Sequence, residues 1–238
     1  MISVCIASFN GERYIKDQLL SILKQLEKED EVVVSDDAST DETINQILSI
    51  KDERIKLING PHQGPVKNFE NSLLYSKGDF IFLSDQDDIW LDGKVSTMMS
   101  ALKDYDLVLS DCKIVNSQLE ILNPSYFSIL IPKTGVLNNI IRNHYLGCCL
   151  AFNRRILDYS LPFPQNIVMH DIWIGLCANS IGKIKIVDEP LMLYRRHDNA
   201  VSFAAGVSEN SLCFKIKYRL EISISLLVRY LRRIVLHK

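Results

Sequence analysis

Three times within its first ninety residues the chain runs through a short apolar stretch that stops at a knot of polar side chains. Ile2 to Ala7 gives way to Ser8-Phe9-Asn10-Gly11-Glu12, Glu31 to Ser35 ends at Asp36-Asp37, and Phe80-Ile81-Phe82-Leu83 ends at Ser84-Asp85-Gln86-Asp87-Asp88. Consecutive apolar residues over so short a length mark strands buried on both faces. A further run, Ile55 to Ile58, leads into Asn59-Gly60-Pro61. Between these runs, Ile15, Leu19, Ile22, Leu23 and Leu26 recur at helical spacing, and helices are expected over Thr40 to Leu48 and Val66 to Ser76. Strands alternating with helices predict a parallel sheet flanked by helices. In such open α/β sheets ligands bind outside the carboxyl ends of the strands, so the three polar knots belong to one rim.

The second half is less regular. Leu107 to Val115, Gly147 to Phe152, Lys183 to Val187 and Leu191 to Tyr194 read as strands, and Met169 to Ile181 as a helix carrying His170, Asp171 and Trp173. With 238 residues, 47% of them hydrophobic, one large α/β domain accounts for the chain without disulfides or a structural metal. The net charge of −2 gives no reason to expect a nucleic-acid partner. None of the six cysteines forms a C-x-x-C pair, which points to reduced thiols in a cytoplasmic setting. The first residues are too short an apolar run for a signal sequence, and no segment approaches the roughly 20 apolar residues of a membrane span.

Asp85 and Asp87 stand two apart at the end of an extended run, which puts both carboxylates on one side. Such a pair suits a hard divalent cation, Mn2+ or Mg2+, whose remaining positions a diphosphate can fill. The competing reading is a solvated acidic turn, for which Asp is equally common. No phosphate loop of the G-x-x-x-x-G-K-[ST] or G-x-G-x-x-G kind follows the first strand, and Glu12 stands where such a loop needs bare amides. That argues against nucleoside triphosphatases and dinucleotide-dependent dehydrogenases.

Taken together, Ile2 to Asn10, Val34-Ser35-Asp36-Asp37-Ala38-Ser39-Thr40-Asp41 and Phe82-Leu83-Ser84-Asp85-Gln86-Asp87-Asp88-Ile89-Trp90 resemble family 2 of the inverting nucleotide-sugar glycosyltransferases, in particular bacterial rhamnosyltransferase-like enzymes of O-antigen and capsule synthesis. The resemblance runs to about Tyr194. It implies a GT-A fold, a Rossmann-like mostly parallel sheet, over residues 1–210, with a nucleotide-binding half (1–105) and an acceptor-binding half (106–210). Ala7, Ser8, Phe9 and Glu12 would border the nucleotide base, Asp36 would accept from its N–H, and Asp37 would support the turn. Gly64 and Asn68 would meet the donor, Asp85 the ribose or metal, and Asp87 would be the principal metal ligand. Asp171, at the start of a helix, matches the family's catalytic base, although His170 stands where many members carry Glu. His197 is a further candidate metal ligand, and Arg195 and Arg196 are candidate clamps for the diphosphate. Gly147-Cys148-Cys149 would either line the acceptor site or pack in the core.

The implied partners are a nucleoside-diphosphate sugar, with dTDP-rhamnose ahead of UDP-glucose and UDP-galactose, and a polyprenyl-diphosphate-linked saccharide. Residues 211–238 carry a basic, amphipathic pattern that reads best as a helical extension. Its charges suit either water or the anionic inner face of the cell membrane, to which the chain would bind peripherally. Two other functions fit the same rim. A sugar nucleotidyltransferase would need a basic, Gly-rich loop after the first strand. A non-catalytic nucleotide-sugar or glycan-binding module would tolerate loss of Asp171.

Overall fold

A computed structural model describes residues 1–196 and 211–236. In chain order the elements are β1 (Ile2–Ser8), α1 (Ile15–Leu23), β2 (Glu31–Asp36), α2 (Thr43–Ser49), β3 (Ile55–Asn59), α3 (Pro65–Tyr75), β4 (Phe80–Ser84), β5 (Ile89–Trp90), α4 (Lys94–Ala101), β6 (Leu107–Val115), β7 (Ile121–Asn123), α5 (Val136–Ile141), β8 (Leu150–Asn153), α6 (Arg154–Ser160), α7 (His170–Ile181), β9 (Ile184–Arg195) and α8 (Leu212–Leu236). Short 3-10 turns lie at Tyr126–Ser128 and Gly147–Cys149.

One sheet runs through the molecule in the order β3-β2-β1-β4-β8-β6-β9-β5, with β7 on the side of β6. The first half supplies the parallel run β3-β2-β1-β4. The second half joins it through antiparallel β8, then returns to parallel pairing between β6 and β9. Central strands are apolar on both faces because helices cover both: in β1, Val4, Cys5 and Ile6 are fully buried, and α1 turns Ile15, Leu19 and Ile22 onto the core. α3 starts at Pro65, whose missing N–H costs nothing in a first turn, after Gly64 at φ 84°.

Several boundaries differ from those read off the sequence. Residues 147–149 form a turn, not the start of a strand, and α2 begins at Thr43 because residues 40–42 are bound in loop contacts described below. The two strands expected after residue 183 are one, β9; Pro190 lies opposite Asp111 where the ladder slips, since proline offers no N–H, and pairing resumes beyond it. All six cysteines are free thiols, five of them buried. Among the described residues no helix is long and apolar enough to cross a membrane. The 25-residue helix α8 packs against α5 and α7.

Candidate active site

The parallel register brings the three polar knots together. Ser8 at the end of β1 pairs with Asp36 at the end of β2, and on the other side Ile6 pairs with Ser84, so the chain leaves β1, β2 and β4 at the same rim. The exit loops are then stitched side by side. Asp36 is buried and accepts from the Ser8 hydroxyl (2.7 Å), the Ser39 hydroxyl (2.6 Å) and the Ser39 amide (2.8 Å). The Asn10 and Gly11 amides donate to Ser39 and Thr43, and the Thr40 amide donates back to Asn10.

Each nucleotide-side residue singled out from sequence has a definite place in this rim. Ala7 is half-buried and Phe9 is exposed beside it. Glu12 accepts from the Glu42 amide at the start of α2, while its own amide donates to Asp41. Asp37 gives both carboxylate oxygens to the turn before α3, accepting from His62 (2.6 Å) and Gly64 (2.9 Å). Asn68 reaches from α3 to the Ser8 carbonyl (3.1 Å). Asp37 and Asn68 thus fix the loop and helix that border the rim, and a Cβ added at Gly64 would meet only open space.

The acidic knot after β4 faces a second acid from the other half of the chain. Burial, then the nearby charges of Asp87 and Asp171, raise the Asp85 carboxyl to about 7. Asp171 opens α7, is itself buried, and is pushed up to about 6 by burial. Its Oδ2 accepts from Asn143 (3.2 Å) and its Oδ1 from the Ile172 amide (2.6 Å), which fixes the carboxylate in one orientation. Asp88 is fully buried and raised by burial and by Asp87 and Asp85. One of its oxygens accepts from the Arg195 amide (2.9 Å), and Oδ2 has no protein partner. Ligand atoms of Asp85, Asp88 and Cys148 lie within 4.8 Å of one another.

Crowded buried carboxylates with an unpartnered oxygen are what a divalent cation satisfies, since it cancels the repulsion that otherwise holds protons on them. The oxygen donors fit Mn2+ or Mg2+, and the Cys148 sulfur adds a softer donor. The buried cation Lys94 is otherwise employed: it donates to the Cys148 carbonyl (2.9 Å) and lies 5.0 Å from the Trp90 ring.

The basic residues after β9 divide. Arg195, expected at the diphosphate, is buried; its Nε donates to the Asp87 carbonyl (2.7 Å), Nη1 donates to the Ser117 carbonyl (2.9 Å), and the guanidinium stacks 4.4 Å from the Tyr14 ring. Its position is that of a strut under the acidic loop. Arg196 is half-buried and donates through its backbone to Val115. His197 lies outside the described residues. His170 stacks on Phe69 at 3.9 Å, and burial lowers it to about 3, so it is neutral at working pH.

Sequence reasoning did not single out Gln86, Asp88 or Asn143, and it read Cys148 as lining the acceptor site or packing in the core, where the structure buries it beside Asp85 and Asp88. Gln86 clasps Phe9 from both sides, accepting from its amide (2.9 Å) and donating to its carbonyl (3.0 Å). A Cβ at Gly11 would overlap the Gln86 amide, so a larger residue there would push Gln86 off Phe9. A Cβ at Gly147 would lie 2.8 Å from His170 Nε2 and would push the imidazole where the turn before β8 passes α7. Only Asp88 carried a signal, as the third acid of the knot.

A family model described as Glycosyl transferase family 2 matches residues 3–160. Among curated relatives, the Escherichia coli UDP-Glc:alpha-D-GlcNAc-diphosphoundecaprenol beta-1,3-glucosyltransferase WfgD is 29% identical over 185 residues, covering 76% of this chain and 71% of its own length. The Shigella flexneri dTDP-rhamnosyl transferase RfbG is 27% identical over 235 residues, covering 90% and 77%. Among solved structures, S. aureus TarS 1-349 in complex with UDP-GlcNAc superposes with a TM-score of 0.70 at 21% identity, over 96% of this chain and 66% of that one. A mannosyltransferase from Pyrobaculum calidifontis in complex with GDP-Man and Mn2+ gives 0.63 at 17% identity, over 83% and 57%. At these identities the likeness establishes the fold, which is GT-A.

Proposed function

The chain belongs to glycosyl transferase family 2, and from that premise we propose that it transfers a hexose or deoxyhexose, with inversion, from a nucleoside-diphosphate sugar to a lipid-linked saccharide during synthesis of a bacterial surface polysaccharide. The observation that carries the reading is the meeting of Asp85, Asp87 and Asp171, from opposite halves of the chain, closely enough that their charges raise the Asp85 carboxyl.

The roles follow from the surroundings. The rim of Ala7, Ser8, Phe9 and Asp36 borders the nucleotide. Asp85, Asp87 and Asp88 would hold Mn2+ or Mg2+, which when bound neutralises charge on the leaving diphosphate. Asp171 takes the proton from the acceptor hydroxyl; a base poised near 6 is ionised at neutral pH yet basic enough to accept. Asn143 orients that carboxylate. The relatives' names support an undecaprenol-linked acceptor and a UDP-glucose or dTDP-rhamnose donor. Such an acceptor resides in a membrane, so the reading includes peripheral attachment to the cytoplasmic membrane face.

The test is a panel of nucleotide sugars in a thermal-shift assay, with and without Mn2+, on the wild type and Asp87→Ala. A donor that stabilises the wild type only with Mn2+, and Asp87→Ala not at all, supports the reading. No stabilisation by any donor would turn it toward a module for some other ligand.

A further inference from the structure

Three of the four arginines of α8 turn to the body, and Arg232 alone of them is exposed. Arg229 donates to the carbonyls of Tyr159, Leu161 and Pro162 and lies 5.5 Å from the Trp173 ring; Arg219 donates to the Ile141 carbonyl; Arg233 stacks 5.7 Å from Tyr159. With Tyr218, Ile222 and Leu226 they fasten one side of the helix to the body. The side left in solvent is apolar: Leu220, Ile224, Leu227 and Leu231 are 50–60% exposed, and Val235 72%. Neighbouring α5 does the same, leaving Leu137 77% and Ile141 65% exposed. Apolar surface on this scale marks a contact site.

We infer that α5 and α8 form one platform that lies in the surface of an anionic phospholipid bilayer, with its apolar side, not its arginines, entering the lipid. The inference rests on the reading above that the acceptor is carried by a lipid. Charge selects the occupant: residues 129–142 and 211–236 together hold eight Lys and Arg and one acid, Glu221, which is already 3.8 Å from Lys217. An anionic headgroup layer matches the exposed Lys133, Arg142, Lys217 and Arg232 around the apolar band. A second copy of the chain is the rival, because Leu220, Ile224, Leu227, Leu231 and Ile234 follow a 4-3-4-3 spacing suited to a helix–helix seam. Pairing two copies would bring like charges together with no acid–base pairs across the seam, and it would leave the apolar residues of α5 in water. The same two elements border the candidate base: Asn143, just past α5, donates to Asp171, and Tyr218 of α8 lies within its electrostatic reach. A lipid-linked saccharide at the platform is therefore presented beside Asp171.

The test is flotation of the full chain, carrying Asp171→Asn so that turnover plays no part, with vesicles of phosphatidylcholine containing phosphatidylglycerol. The expected result is co-flotation that falls at least tenfold in Leu220→Glu/Leu231→Glu and in Leu137→Glu, each checked for native circular dichroism. In the Asp171-containing chain these substitutions leave transfer to a short water-soluble acceptor unchanged. Undiminished flotation of the Glu variants overturns the inference, as does light scattering that shows a dimer which the α8 variant dissociates. Flotation without transfer to any acceptor by the wild type would instead sink the transferase reading and leave the platform standing.

Discussion

Asp171 is held by two hydrogen bonds at the start of α7 with its carboxyl raised to about 6. If it is the base, kcat/KM rises with pH through about 6 and then levels, because only the ionised form accepts a proton. Asp171→Asn should lose roughly 10²–10⁴-fold in transfer while a calorimetric titration still shows donor binding; transfer at wild-type rate would remove Asp171 from the mechanism. The same burial has a consequence for stability. Asp85 and Asp171 hold protons more tightly folded than unfolded, so the stability they contribute is present below the ordinary carboxylate value near 3.8 and is lost as pH rises through about 6 to 7. A bound cation reverses that loss. Mn2+ should therefore raise Tm more at pH 8 than at pH 5, and an equal rise at both would contradict the placement of the ion among these acids.

Elements were legible from sequence where one strand or helix suffices to explain its own pattern. β1, β2 and β4 declare themselves by short apolar runs ending in polar residues, and α7 by an apolar, wholly buried run with an acid in its first turn. What sequence did not disclose depends on partners far along the chain. Gln86 meets Phe9 across 77 residues, Lys94 meets Cys148 across 54, and Arg195 meets Asp87 across 108; nothing local distinguishes these side chains from surface ones. For the same reason Arg195 reads as a ligand-binding arginine until the strand order sets it under the acidic loop. These contacts give predictions at the element scale. Gln86→Ala removes both ties between the β1 and β4 loops and should cost about 1–2 kcal/mol of stability, with a roughly tenfold weaker donor affinity by calorimetry, tenfold being about 1.4 kcal/mol. Arg229→Ala leaves three carbonyls without a charged donor and should lower stability by about 2–3 kcal/mol in urea denaturation, chiefly by loosening α8.

Across the whole molecule, the parallel first half supplies one edge, and the second half, joined through antiparallel β8, folds back to bring α7 beside it. That arrangement explains why Asp87 and Asp171, 84 residues apart in the chain, both lie within electrostatic reach of Asp85, as the proposed metal site and the proposed base require. It also sets α5 and α8 beside Asp171, where the proposed membrane platform would present the acceptor. The most direct measurement is an anomalous-difference map from a crystal grown with Mn2+ and a nucleoside diphosphate. The account predicts the ion among the Asp85, Asp87 and Asp88 carboxylates, with the nucleotide along the ends of β1 and β2 and Asp171 facing the same cleft. An ion or nucleotide bound away from that edge would contradict it.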